Sequence, residues 1–152
     1  MKDILREIGM IARCFESIAN IEFKAYHLSK NQYIYLVRIV ENPGIILERL
    51  SELVKVDRST ASRAVKKLVD QGIVKKVDVN QTGKRIQLIP TEKGLSLFEI
   101  LKEEEVYSSR ISLEGFTQDE INSFLKYLKR MRENIEPEWE KVKKGQVRDY
   151  LK

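Results

Sequence analysis

The sequence predicts a mainly α fold with one small antiparallel β-hairpin (α+β). Long helices stand at both ends, and a helix-turn-helix followed at once by the hairpin lies between them. Three observations predict this. Apolar residues recur every three to four positions near both termini, the mark of amphipathic helices. Two shorter stretches of the same period fall between Leu47 and Gly72. Alternating apolar and polar residues then flank Asn80-Gln81-Thr82-Gly83, a turn composition. The length, 152 residues, suits one domain or one domain with a helical extension.

The first helix follows from Ile4, Ile8, Ile11, Phe15 and Ile18, with Leu5, Ala12 and Ala19 alongside, and it fades near Tyr26. Ser29 with Gln32 has capping-box spacing, in which each side chain satisfies the other residue's free backbone N–H. The run Tyr33–Val40 is apolar except for Arg38, and period alone does not separate buried strand from buried helix. The cap before it and Asn42-Pro43-Gly44 after it favour a helix buried on most sides. Leu47, Leu50, Leu53 and Val54 make a short amphipathic helix. Asp57 is a good N-cap for the next, where Ala61, Val65 and Leu68 recur at i, i+4 and i+7 and Gly72 is the terminating glycine. Two short helices so joined read as a helix-turn-helix, about 46–72.

Ile73–Val79 and Arg85–Ile89 have strand composition, so a hairpin is expected at about 73–90. Pro90 and Thr91 open another helix, capped by Thr91, with Leu95, Phe98 and Leu101 on its apolar face and an end near Ile111. Gly115 breaks the chain. Thr117 and Glu120 form a capping box, Ile121, Phe124, Leu128, Met131 and Ile135 form a stripe, and Pro137 is expected to end that helix. The tail is charged around Trp139, Val142, Val147 and Tyr150.

Charge is the first functional clue. The net charge is +5, and Asp57–Arg85 alone carries eight bases against three acids, so the rest of the chain is neutral. Basicity confined to 29 residues is the footprint of a polyanion site. A lysine-rich solvated face is the plainer alternative. One cysteine, Cys14, and one histidine, His27, leave most metal and triad chemistries without parts. No phosphate loop, paired-carboxylate motif or nucleophile elbow is present. No metal, cofactor or enzymatic activity is therefore expected. Charged residues interrupt the N-terminal apolar stretch, and no window is apolar enough to span a membrane. A soluble, cytoplasmic protein is expected.

A helix entering the major groove needs hydrogen-bonding side chains near its N-terminus and cations for phosphate. With Ala61, Val65 and Leu68 inward, Ser59, Arg63 and Lys66 point outward, flanked by Ser62 and Lys67. Ser59, Thr60, Ser62 and Arg63 fit base edges, with Arg63 the best candidate for a guanine. Arg58, Lys66 and Lys67 fit phosphates. Ser59 and Thr60 could equally serve only as capping residues. In the hairpin, Lys84 and Arg85 follow a glycine turn and Lys75 and Lys76 lie at its base, suiting a basic loop that reaches the minor groove or its phosphates.

The segment DRSTASRAVKKLVDQG (Asp57–Gly72) resembles the recognition helix of the multiple-antibiotic-resistance regulator (MarR) family of winged helix-turn-helix transcription factors, and TEKG (Thr91–Gly94) is similar to that family's wing-to-helix junction. The resemblance covers nearly the whole chain. It implies a winged helix-turn-helix at 31–111, with N- and C-terminal dimerisation helices at 1–30 and 112–152. It also implies a homodimer bound to pseudo-palindromic double-stranded DNA, acting as a repressor, with helix 57–71 in the major groove and a basic wing at 80–85. The family's wing commonly carries Asp-x-Arg. Those positions are Thr82 and Lys84 here, which implies a looser wing and leaves open whether Lys84 or Arg85 inserts.

Relatives often respond to a small aromatic or anionic effector held between the DNA-binding lobe and the dimer helices. Arg13 and Lys30 are the candidates to face such a cleft, although both also suit plain surface positions. Cys14 raises a thiol-based redox switch, but between Arg13 and Phe15 in a helix a small packed residue is the ordinary reading. His27 suits a surface or capping role. The competing class is a winged-helix protein-interaction module whose basic face is incidental.

Overall fold

The computed structural model describes all 152 residues as helices α1 (Lys2–Glu22), α2 (Gln32–Glu41), α3 (Leu47–Val54) and α4 (Arg58–Asp70), strands β1 (Val74–Asp78) and β2 (Ile86–Pro90), and helices α5 (Glu92–Ser112) and α6 (Gln118–Lys143). Short 3-10 turns occupy Phe23–Tyr26 and Asp149–Leu151. The chain divides into two compact units, Met1–Ser108 and Ser109–Lys152.

The first unit holds the core. Leu28, Leu36, Ile39, Leu50, Ala61, Val65, Leu68, Ile73, Val74, Leu88 and Leu101 are buried together. The inward stripe expected for α4 is thus in place. Its C-terminus closes as a glycine motif: Gly72 takes φ +70°, its N–H bonds to the Val69 carbonyl at 2.9 Å, and the Ile73 N–H to the Leu68 carbonyl at 2.9 Å. The strands pair antiparallel in the register Val74–Pro90 to Asp78–Ile86. A third backbone segment that the sequence did not suggest joins this sheet. Ile45 bridges Leu88, whose N–H bonds to the Ile45 carbonyl at 2.9 Å, so the stop after α2 is also a sheet edge.

Several local expectations change. Ser29 and Gln32 form no capping box. Asn31, in the left-handed region at φ +65°, is the N-cap of α2, which puts Ser29 outside the helix and Gln32 at its first position. The turn is fixed from α1 instead: the Asn31 N–H bonds to Asn20 Oδ1 at 3.0 Å and its Nδ2 to Glu16 Oε1 at 2.8 Å. Pro90 ends β2 rather than opening α5. On α5 the buried face is Gly94 and Leu101, with Leu97 packed against the core, while Leu95 is exposed. Cys14 is exposed rather than packed, as are Ile4, Leu5, Ile11 and Phe15 on the same helix.

In the second unit, α6 opens on the expected box. The Thr117 hydroxyl accepts from the Glu120 N–H, and the Glu120 carboxylate accepts from the Thr117 N–H at 2.7 Å. Pro137 does not end α6. A proline removes one intrahelical donor and leaves the carbonyl four residues back without it. That carbonyl belongs to Glu133, on a helix with no buried residues, so water can satisfy it. Ion pairs of Arg132 with Glu136 and of Lys141 with Glu138 bracket the proline. The helix ends at Gly145, φ +77°. No helix is long and apolar enough to cross a membrane.

Candidate nucleic-acid interface

The site is built on the first turn of α4. Asp57, in extended conformation, caps the helix: its Oδ1 accepts the Thr60 N–H at 2.8 Å and its Oδ2 accepts the Thr60 hydroxyl at 2.6 Å. The Thr60 hydroxyl, then the Thr60 N–H, hold the Asp57 carboxyl below its ordinary value of 3.8. Arg63 extends the chain, its Nη2 donating to Thr60 Oγ1 at 3.3 Å. Thr60 is therefore a capping residue that also steadies Arg63, while Ser59 takes no part in the cap.

Arg58, Ser59, Ser62, Arg63, Lys66 and Lys67 all lie on the exposed face of α4. Lys66 is tied to Asp70 by an exposed pair at 2.8 Å, and its hydrogen bond to that carboxylate raises the ammonium above its ordinary value. Such a pair is weak in water and leaves the lysine available to a phosphate.

A cleft of about 220 Å³ separates α4 from the hairpin loop. It brings together four of the expected residues, Arg58, Ser62, Lys84 and Arg85, and adds Lys76 from β1 and Ile46–Glu48 at the start of α3. Four cations face one carboxylate, Glu48, so the cleft suits an anion. Ser59, Thr60, Arg63, Lys66 and Lys67 lie outside it. The α3 contribution was missed because its residues are apolar or acidic and carry no basic signal.

The hairpin loop is not left without an acid. Asp78 Oδ2 accepts the Gly83 N–H at 2.7 Å, and Thr82 Oγ1 accepts the Lys84 N–H at 3.4 Å. The TEKG segment locks the far end of α4. Thr91 Oγ1 donates to the Gly72 carbonyl at 2.6 Å, Lys93 Nζ to the Gln71 carbonyl at 2.9 Å, and the Gly94 N–H to Thr91 Oγ1 at 3.1 Å.

This architecture has close counterparts. The sequence pattern of the MarR family matches residues 27–86. The HTH-type transcriptional regulator YybA of Bacillus subtilis (strain 168) is 54% identical over 150 residues, 99% of this chain and 100% of that protein. The chain belongs to the MarR family. Its fold is that of solved MarR-family structures: a transcriptional regulator from Listeria monocytogenes complexed with 26mer DNA is 51% identical, with a TM-score of 0.94 over 99% of this chain and 100% of that one. The transcriptional regulator SlyA is 48% identical, with a TM-score of 0.88 over 92% and 99%. The protein is thus a MarR-family transcriptional regulator with a winged helix-turn-helix, and its relatives are regulators rather than enzymes.

Of the two residues considered for an effector, Arg13 lines a hollow and Lys30 does not. In this MarR-family chain the Arg13 guanidinium folds back over Gly9, and Arg13 lines a shallow hollow with Glu16, Ser17, Asn20 and Ile21. Lys30 is exposed at φ +55° and does not line it. His27 is the left-handed C-cap of the 3-10 turn, and its carbonyl accepts Gln71 Nε2 at 3.4 Å.

Proposed function

We propose that this regulator binds pseudo-palindromic duplex DNA as a homodimer and represses transcription from it. The observation that carries the reading is the cationic cleft between α4 and the hairpin, set beside the exposed hydrogen-bonding face of α4. In this reading residues 31–111 form the DNA-binding domain. Helix α4 enters the major groove, where Ser59, Ser62 and Arg63 meet base edges. Arg58, Lys66, Lys67, Lys84 and Arg85 meet phosphates, and Lys84 or Arg85 reaches the minor groove. Thr60 contributes by holding Arg63. A Listeria relative complexed with 26mer DNA supports DNA binding by this fold.

Residues 1–30 and 112–152 pair the subunits. Exposed Ile4, Leu5, Ile11 and Phe15 on α1, and Phe124, Leu125 and Ile135 on α6, supply more apolar surface than a monomer usually leaves in water. The protein acts in the cytoplasm and catalyses no reaction. A small aromatic or anionic effector releases the DNA, and Arg13 and Lys30 remain candidates to meet it.

The test is binding of the full chain to a 26-base-pair duplex across a salt series. Each neutralised phosphate contributes about −0.9 to the log–log slope. Steep salt dependence and preference for half-sites roughly 10 base pairs apart are expected. A folded protein that ignores DNA at low salt would instead support the protein-interaction module.

A further inference from the structure

We infer that Asp78 is the positioning residue of the wing, fixing the Lys84-Arg85 pair in the attitude that meets DNA. The inference rests on the DNA-binding reading above and adds to it an acid that no charge argument would select. Seven residues, Val79–Arg85, separate the paired ends of the hairpin, and two of them, Gln81 and Gly83, adopt positive φ. Such a loop has many conformations unless something holds it. Within the loop, Thr82 Oγ1 accepts the Lys84 N–H at 3.4 Å, but only Asp78 reaches the loop from a strand. Asp78 Oδ2 accepts the Gly83 N–H at 2.7 Å, across five residues. Asp78 also stands opposite Ile86 in the β1–β2 ladder. Lys84 and Arg85 lie directly between Gly83 and Ile86. The two cations therefore lie between Gly83, tied to the Asp78 carboxylate, and Ile86, set opposite Asp78 by the strand register.

The carboxylate has a further property. Its second oxygen, Oδ1, is buried and accepts no hydrogen bond. A buried acceptor without a partner is costly. Solubility or simple charge balance would be served better by a solvated acid at the loop tip. Its placement is explained by the reach that Oδ2 needs to meet Gly83. Asp78 also sits among Lys75, Lys76, Lys84 and Arg85, so as a charge it opposes the attraction of DNA to the wing. Positioning and electrostatics therefore predict opposite signs when it is removed.

The experiment uses the full-length protein and a duplex that the wild type itself selects from a random pool, with binding read by fluorescence anisotropy. Selection of no duplex by the folded wild type would remove the DNA-binding reading itself, before Asp78 is tested. With binding established, D78N keeps an acceptor oxygen and sheds the charge, so it should bind as tightly as wild type or tighter. D78A keeps neither and should bind about tenfold more weakly despite its added positive charge, the scale of one lost charge-assisted hydrogen bond. Exchange of the Gly83 amide should be slowed in wild type and D78N and fast in D78A. D78A binding as tightly as D78N, with Gly83 exchange unchanged, would overturn the inference. If D78A fails to fold, D78E decides: it retains the charge but misplaces the oxygens by one methylene. Weaker binding by D78E supports positioning, and unchanged binding overturns it.

Discussion

Replacing Gly94 by alanine should unfold the protein more readily than any other single methyl added to its glycines. A Cβ built on Gly94 falls 2.3 Å from the Ile73 carbonyl oxygen, which is backbone and cannot rotate aside. Ordinary C···O approaches are about 3.3 Å or more, so α5 must move off the start of β1 by roughly 1 Å. That shift stretches the Thr91 N–H bond to the Ile73 carbonyl, now 3.0 Å, and the Thr91 hydroxyl bond to the Gly72 carbonyl, now 2.6 Å, beyond useful range. Two donors at a net of about 1 kcal/mol each, plus residual overpacking, give about 2–3 kcal/mol. At about 4 °C per kcal/mol the unfolding midpoint should fall by roughly 8–12 °C. The control is Gly72→Ala. Nothing lies within 4 Å of its Cβ, and its φ of +70° is the only obstacle, so it should cost about 1 kcal/mol. Thermal unfolding by circular dichroism, at one fixed protein concentration, measures both. A midpoint for Gly94→Ala within 2 °C of wild type, or above that of Gly72→Ala, would refute the account of the junction.

Arg63→Ala should cost on the order of 1–3 kcal/mol on the selected duplex and relax preference at one position if Arg63 reads a base; equal losses on specific and random DNA would show that it only anchors. Lys66→Ala should weaken binding to all sequences alike and flatten the salt slope by about one, which a titration of affinity against salt measures. Thr60→Val removes the first cause of the lowered Asp57 carboxyl. Because a lowered folded value stabilises above the ordinary carboxylate range, the deficit of the variant should be full at neutral pH and should close as pH falls through that range, read from urea midpoints at each pH. Deleting residues 1–20 should leave aggregated or unfolded protein if α1 pairs subunits, and a well-folded monomer on light scattering would count against the dimer.

The elements that were legible are those whose physics is local. Asp57 caps α4 and Thr117 pairs with Glu120 because cap and partner are three residues apart, a distance that sequence displays directly. The stripe Ala61, Val65, Leu68 is buried because helical period alone puts those three on one side. The same spacing at Ser29 and Gln32 failed, because the turn there answers to Asn20 and Glu16, 11 and 15 residues away from Asn31. The TEKG segment was recognisable as a motif, yet its reason is also distant: Gly94 is small because Ile73, 21 positions earlier, places a carbonyl against it.

The candidate interface divides along the same line. The exposed cations of α4 and the wing follow from composition and period. The cleft that gathers only some of them depends on how β1, β2 and α3 meet, which no spacing encodes. Asp78 shows the limit most plainly. In sequence it is one of three acids diluting a basic segment, and a count of charges sets it against DNA binding. In the fold its carboxylate reaches five residues ahead to Gly83, between which and Ile86 the two wing cations are held. An acid can therefore serve a polyanion site when fixing a pair of cations outweighs one unfavourable charge. That balance is decided by a hydrogen bond whose partners a net charge does not register.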